Sequence, residues 1–354
     1  MKIKENHFDD IRYFDQGYKR VIFALFLIFL LLLPLFIGRY AIYIANLMAI
    51  YIIVAVGLNL LTGTTGQISI GHSAFLAIGA YSSALLTSKI GIPFLIALPL
   101  SGLITAIAGI IVGIPALRIG GFYLAIATMS FAFIIDELIV QMHTLTRGSA
   151  GLPVVPPQIG PILFKSDTSK YYLIVPISVM MVSGAKNLMR TRIGRAFIAI
   201  RESEIAAQTM GIHLAKYKVI SFAVSAFYAG IGGSLFAHLV TFINPGHFTL
   251  MESITFLTMI VVGGLGSILG SIIGAIFITI LPELIRLAKD LLPHQLRVQE
   301  GLQAFVYGWI LIIFILFEPQ GLYGRWLKIK AYWQSWPLGR KIRRKKLVFA
   351  RSYR

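Results

Sequence analysis

Residues 254–287 read ITFLTMIVVGGLGSILGSIIGAIFITILPELIRL, and whether this stretch crosses a bilayer once or twice fixes the topology of everything after it. It is too long for one ordinary helix, and Gly263-Gly264-Leu265-Gly266-Ser267 interrupts it. Seven apolar runs precede it, at about 21–37, 41–61, 73–90, 94–116, 120–142, 171–189 and 218–243, and one follows at about 301–317. Lys and Arg collect on the cytoplasmic side of membrane proteins. With the N-terminus inside, two crossings here give ten spans and put 24 of the 32 Lys and Arg inside, whereas one crossing gives nine spans and an even split. The expectation is therefore about ten spans with both termini cytoplasmic. The eighth span, Ile254 to Val262, is then too short to traverse the bilayer and reads as a half-helix.

Composition agrees with a membrane-embedded chain. Apolar residues supply 57% of the 354 positions and charged residues 13%, about half of what a soluble surface carries. The net charge of +18 sits in short segments between apolar runs, so it orients the protein rather than forming a nucleic-acid face. Cysteine is absent, which removes disulfides, thiolate metal sites and Cys nucleophiles. Residues 1–20 are polar and are followed by an apolar run. The length of that polar stretch, the lack of a small-x-small cleavage site and the next run from Ala41 favour an uncleaved first span over a signal peptide.

A second interruption lies between Gly57 and Tyr81. Its glycines recur at 63, 66, 71 and 79 among apolar residues, Asn59, Thr62, Gln67, Ser69 and His72, and it carries no charge beyond a protonated His72. Two glycine-broken apolar stretches, one in each half, are the pattern of unwound segments that contact a passing solute near the bilayer midplane. On that reading Asn59, Thr62, Gly63, Gly66, Gln67, Ser69, Gly71, His72, Gly263, Gly264 and Gly266 line a route. Close helix packing through small residues explains the same glycines equally simply, and a lone His72 is more often a packing residue than a proton carrier. Asp136, Glu137 and Glu252 fall near span ends, where an interfacial placement competes with a functional one.

Between the sixth and seventh spans, residues 190–216 form a basic loop. Arg201 to Met210 lacks Gly and Pro and stops at Gly211, which predicts a short helix against the cytoplasmic face. Ala206 and Ala207 give it a small-residue face, flanked by Arg195, Arg201, Glu202 and Glu204. Glu204-Ile-Ala-Ala-Gln-Thr-Met-Gly211 resembles the EAA-x3-G coupling loop of ABC import permeases. Together with Gly57 to Tyr81, Gly148-Ser-Ala-Gly-Leu-Pro153, Gly194 to Glu202 and Val262 to Gly270, it makes the chain similar to the branched-chain amino acid permease family from about Ala41 to Tyr323, in the form of the longer of its two permease subunits.

The resemblance implies an all-α, polytopic bundle in the bacterial inner membrane. It also implies an importer completed by a shorter homologous permease, two ATPase subunits and an external solute-binding protein. ATP and Mg would be used by the ATPase subunits, with no cofactor, metal or catalytic residue here, and Arg195, Arg201, Glu202, Glu204, Ala206, Ala207 and Gly211 would meet an ATPase. No Gly-x4-Gly-Lys-Ser/Thr phosphate loop occurs in the sequence, so ATP hydrolysis would fall to another chain. The expected organisation is a cytoplasmic segment 1–20, a transmembrane domain 21–318 containing the coupling loop, and a basic tail 325–354. That tail holds eleven basic residues and no acids, with Trp326, Trp333 and Trp336 as interfacial anchors, and is more basic than the family pattern. Similar permeases import urea or short amides. A secondary transporter or channel would more plausibly carry membrane-buried acids paired with bases, and an intramembrane enzyme would need convergent ligands or a nucleophile and base that the scattered histidines do not supply.

Overall fold

The computed structural model describes residues 17–117, 119–291, 308, 309, 312–314, 316 and 321–335. The helices are α1 Gly17–Leu32, α2 Arg39–Leu58, α3 His72–Ser88, α4 Phe94–Gly113, α5 Phe122–Gln141, α6 His143–Thr146, α7 Asp167–Arg190, α8 Arg192–Glu202, α9 Glu204–Thr209, α10 Leu214–Val240, α11 Leu250–Gly263, α12 Ile268–Leu291 and α13 Gly321–Ser335. Among the described residues, six helical segments are long and apolar enough to cross a membrane: Arg39–Gly63, Phe94–Gly113, Phe122–Gln141, Asp167–Arg190, Leu214–Val240 and Pro245–Gly263. Ala24–Leu35 and Ile268–Leu284 are shorter apolar stretches. The chain is thus a multi-pass, helical membrane protein. The expected third span is α3, only 17 residues long and largely buried by other helices. The expected run at 301–317 and the tail beyond Ser335 lie outside the described residues, apart from isolated positions of the former.

α10 is the hub, because its small residues let other backbones approach. A Cβ on Gly79 of α3 would stand 2.4 Å from the Cα of Gly230, and one on Gly233 would stand 2.1 Å from the carbonyl oxygen of Leu76. A Cβ on Gly109 of α4 would lie 2.5 Å from that of Ala226. Without water-driven association between lipid-exposed helices, this closeness supplies dispersion energy that larger side chains would forfeit. α7 docks on α2 through Ser178 Oγ, which donates to the Ala49 carbonyl at 2.9 Å, and Asn46 Nδ2, which donates to Asp167 O at 3.0 Å. The Tyr171 hydroxyl ties α7 to α1 at Leu30 O.

The helices alternate between two ends of the bundle. The loop end carries α8 and α9, and the far end carries two small antiparallel pairs. Strand β1 (Leu152–Pro153) pairs with β4 (Phe242–Ile243), and β2 (Gln158–Ile159) with β3 (Ile162–Leu163). Lys170 Nζ, buried, donates to Leu239 O at 2.8 Å and fastens this end. α12 runs from the loop end toward the far end, yet the backbone of Gly321 lies against Val262 to Gly264 at the loop end.

The expected half-helix at Ile254 to Val262 is corrected. The helix begins at Leu250 and, with the preceding 3-10 turn Pro245–Phe248, forms a 19-residue segment. Glu252 therefore stands within its first turn rather than before it. The second glycine tract is correspondingly not an interruption inside a span but the turn of an antiparallel hairpin between α11 and α12. Gly264 at φ +123° and Gly266 at φ +81° make that turn, and a Cβ on Gly263 would sit 2.0 Å from Gly270 O.

Candidate functional site

The first glycine tract does unwind. α2 ends in a π-helical turn over Asn59–Gly63. Thr64 and Thr65 hydroxyls both donate to Leu60 O, at 2.6 and 3.0 Å, drawing that carbonyl out of the regular helical ladder. Gly66 turns at φ +77°, and the chain then runs without regular structure to Gly71, where α3 begins. Here a Cβ would stand 1.9 Å from Thr128 O, so only glycine lets this segment lie against α5. The Ile70 N–H donates to Thr128 Oγ1 at 3.1 Å and Gln67 N–H to Leu61 O at 3.2 Å, which covers part of the exposed backbone.

α3 starts deep in the bundle. The Ser73 N–H donates to Ser253 Oγ at 2.9 Å, and the two serine hydroxyls meet at 2.7 Å. Ser253 lies ten residues, about 15 Å of helix, from the loop-end turn at Gly263. In the same segment Gln67 Oε1, Ser69 Oγ and both ring nitrogens of His72 are buried without a hydrogen-bond partner. Such groups are costly unless something else satisfies them.

The two glycine tracts meet at the loop end. Asn59 Nδ2 donates to Ser267 O at 3.0 Å, and Gly266 N–H donates to Asn59 Oδ1 at 2.8 Å, so one side chain satisfies both sides of the hairpin turn. Arg201 of α8 donates to Gly63 O, its stem lies beside Gly66, and a Cβ on Gly266 would stand 2.5 Å from its Nη1. One guanidinium from the loop thus touches both tracts. Among the anticipated route residues, Gly63, Gly66 and Gly266 gather around Arg201, whereas Gln67, Ser69, Gly71 and His72 lead away into the bundle. Thr62 Oγ1 donates to Gln67 O at 3.1 Å and braces the bend between them.

The loop differs from the single helix expected over Arg201 to Met210. Ser203, at φ −164° and ψ 117°, separates α8 from α9, and its hydroxyl accepts the Ala206 N–H at 3.2 Å as an N-cap. Glu204 pairs inward with the buried Lys218 at 2.7 Å. Arg195 donates to Arg190 O within the loop, and Glu202 is exposed. The proposed small-residue face divides: Ala207 is buried inside the protein while Ala206 is exposed. What α9 presents outward is Ile205, 79% exposed, and Met210, 83% exposed. Gly211 has open space around it and is required by its φ of +80° alone. Beside α9 lies an open groove of about 430 Å³, whose lining includes Leu117, Gln208, His213 and Leu214.

Asp136 and Glu137 are exposed near the end of α5, with Gln141 Nε2 donating to Glu137 at 2.6 Å. Two features escaped the sequence reading. Ile205 and Met210 are ordinary apolar residues until the bundle leaves them uncovered. Tyr51 is one of three tyrosines in α2, yet its hydroxyl donates to the Glu252 carboxylate.

Comparison with known proteins accords with this architecture. Residues 40–315 match the family described as branched-chain amino acid transport system / permease component. The chain is 33% identical over 329 residues to the high-affinity branched-chain amino acid transport system permease protein LivM of Escherichia coli (strain K12), covering 84% of this chain and 74% of that protein. It is 32% identical over 313 residues to LivM of Salmonella typhimurium, covering 82% and 71%. It is 27% identical to the probable branched-chain amino acid transport permease protein LivH of Methanocaldococcus jannaschii, covering 79% and 90%. No solved structure matches the chain. With glycine tracts, loop and hairpin all inside the matched region, the chain belongs to the branched-chain amino acid transport permease family.

Proposed function

We propose that this chain is a membrane-spanning subunit of an ABC importer for branched-chain amino acids, forming the translocation route with a second, homologous permease. Solute arrives from an external binding protein. Two ATPase subunits use ATP and Mg, and their closure moves α8 and α9 and reorients the bundle by alternating access. The loop end faces the cytoplasm of a bacterial cell, the chain crosses the inner membrane about ten times, and both termini lie inside. The return of the chain from Leu291 at the far end to Gly321 at the loop end supports an even count. On α13, Trp326 and Ile329 are exposed beside basic residues, which suits anionic headgroups at that face.

The observation that carries this reading is Arg201, which joins the solvent-exposed loop to both glycine tracts in one contact set. A joint that must transmit motion needs packing and charge-assisted hydrogen bonds rather than chemistry. Ile205, Ala206 and Met210 form its outward face for the ATPase. The test is side-specific labelling of Met210→Cys, possible without background because the chain has no native cysteine, combined with leucine uptake in proteoliposomes holding the whole importer. Labelling from the cytoplasmic side and ATP-dependent uptake are expected. Labelling only from outside, or uptake by this chain alone, overturns the proposal.

A further inference from the structure

Glu252 and Phe256 stand one turn apart on the same face of α11. Phe256 is fully buried, and two rings pack edge-on against it: Tyr51 of α2 at 5.3 Å between centroids and His72 of α3 at 6.5 Å. The Tyr51 hydroxyl donates to the Glu252 carboxylate, while the remaining oxygen, Oε1, is sealed from solvent with no partner. His72 is fully buried, leans on Phe75 at 5.8 Å, and leaves both ring nitrogens without partners. Among the described residues, the ion pairs seen do not include Glu252. The imidazole and the tyrosine that donates to the carboxylate thus pack on one phenyl ring at the unwound start of α3. His72, fully buried, has neither ring nitrogen satisfied, and Glu252, partly buried, has one carboxylate oxygen sealed off without a partner, which is costly at this depth.

We propose that Glu252 and His72 form a subsite for a zwitterionic α-amino acid in transit. This rests on the importer reading above. The Glu252 carboxylate accepts hydrogen bonds from the solute's ammonium group, an imidazole N–H of His72 donates to its carboxylate, and Phe256, Phe75 and Tyr51 pack its aliphatic side chain. Urea and primary amides offer N–H and C=O groups but neither charge, so they forgo the ammonium–carboxylate pairing and the stronger charge-assisted hydrogen bonds. A site that places buried polar groups against specific partners rejects solutes lacking them.

The test uses the complete importer in proteoliposomes with saturating binding protein. Glu252→Gln is expected to lower maximal leucine uptake about tenfold or more with an unchanged size-exclusion profile of the complex, and Glu252→Asp to restore part of it. In the unaltered importer, a leucine analogue bearing a side-chain diazirine, photolysed during turnover, is expected to label residues 72–75 and 252–256. That measurement keeps the proposal testable if Glu252→Gln fails to assemble. Normal uptake by Glu252→Gln beside a transporting wild type, or labelling confined to other segments, overturns the subsite alone. Failure of the wild type to take up leucine overturns the reading of function and the subsite with it.

Discussion

The two glycine tracts look alike in sequence and are built for opposite ends. The tract after α2 passes from a π-helical turn into a stretch, 66–71, without regular structure, and leaves Gln67, Ser69 and His72 with unmatched polar atoms. The tract after α11 is a closed turn whose Gly266 N–H and Ser267 carbonyl are satisfied by Asn59. Glycine serves the first by letting backbone lie against α5 and serves the second by supplying positive φ and a tight hairpin. The lesson is that two similar glycine-rich breaks differ in whether their polar groups are paired after folding, which composition does not distinguish.

Substitutions can break or sharpen that contrast. The largest effect is expected from Gly71→Ala, whose Cβ would meet the Thr128 backbone carbonyl at 1.9 Å. A backbone collision in a packed core costs about 3 kcal/mol, and thermal unfolding of the purified protein should show a clear drop in midpoint. Next comes Arg201→Ala, which separates the loop from both tracts. Removing charge-assisted hydrogen bonds worth about 1.5–3 kcal/mol should reduce uptake by about ten- to a hundredfold, with partial recovery in Arg201→Lys. Equal uptake by Arg201→Ala and wild type would mean the tracts are not worked through this contact.

Asn59→Ala tests the closed turn. Losing two hydrogen bonds at Gly266 and Ser267 should cost about 1–3 kcal/mol of stability, read in the same melting experiment. Ile205→Ser and Met210→Ser should leave that melting unchanged, because both side chains are exposed, while weakening capture of the ATPase subunits in a pull-down. Gly211→Ala is the mildest. Nothing surrounds the glycine, so only the cost of holding Ala at φ +80°, about 1 kcal/mol, is lost. A far larger loss of uptake would show that an ATPase surface closes over that position.

Much of this was legible beforehand. Apolar run length announced the membrane helices, and the 63-66-71 glycines announced the unwound tract. Gly211 was read correctly as the point where helix ends, from its freedom at positive φ. The start of α11 lies earlier than Ile254 because the polar Glu252 and Ser253 are absorbed by the bundle, where Ser253 Oγ donates to Ser73 Oγ and the Tyr51 hydroxyl donates to Glu252. The absence of Gly and Pro suggests one continuous loop helix, but Ser203 favours an N-cap over a helix interior and splits it.

Sequence alone therefore settled that the chain lives in lipid and where its two glycine tracts lie, because both follow from local properties: transfer of apolar side chains and the conformational range of glycine. Tertiary structure alone decided which interruption stays open, that Arg201 turns inward to both tracts, that Ala207 is buried while Ile205 is not, and that Tyr51, the donor to Glu252, shares the Phe256 ring with His72. Those outcomes depend on contacts between residues more than two hundred positions apart, such as Asn59 with Ser267, and no local preference encodes them.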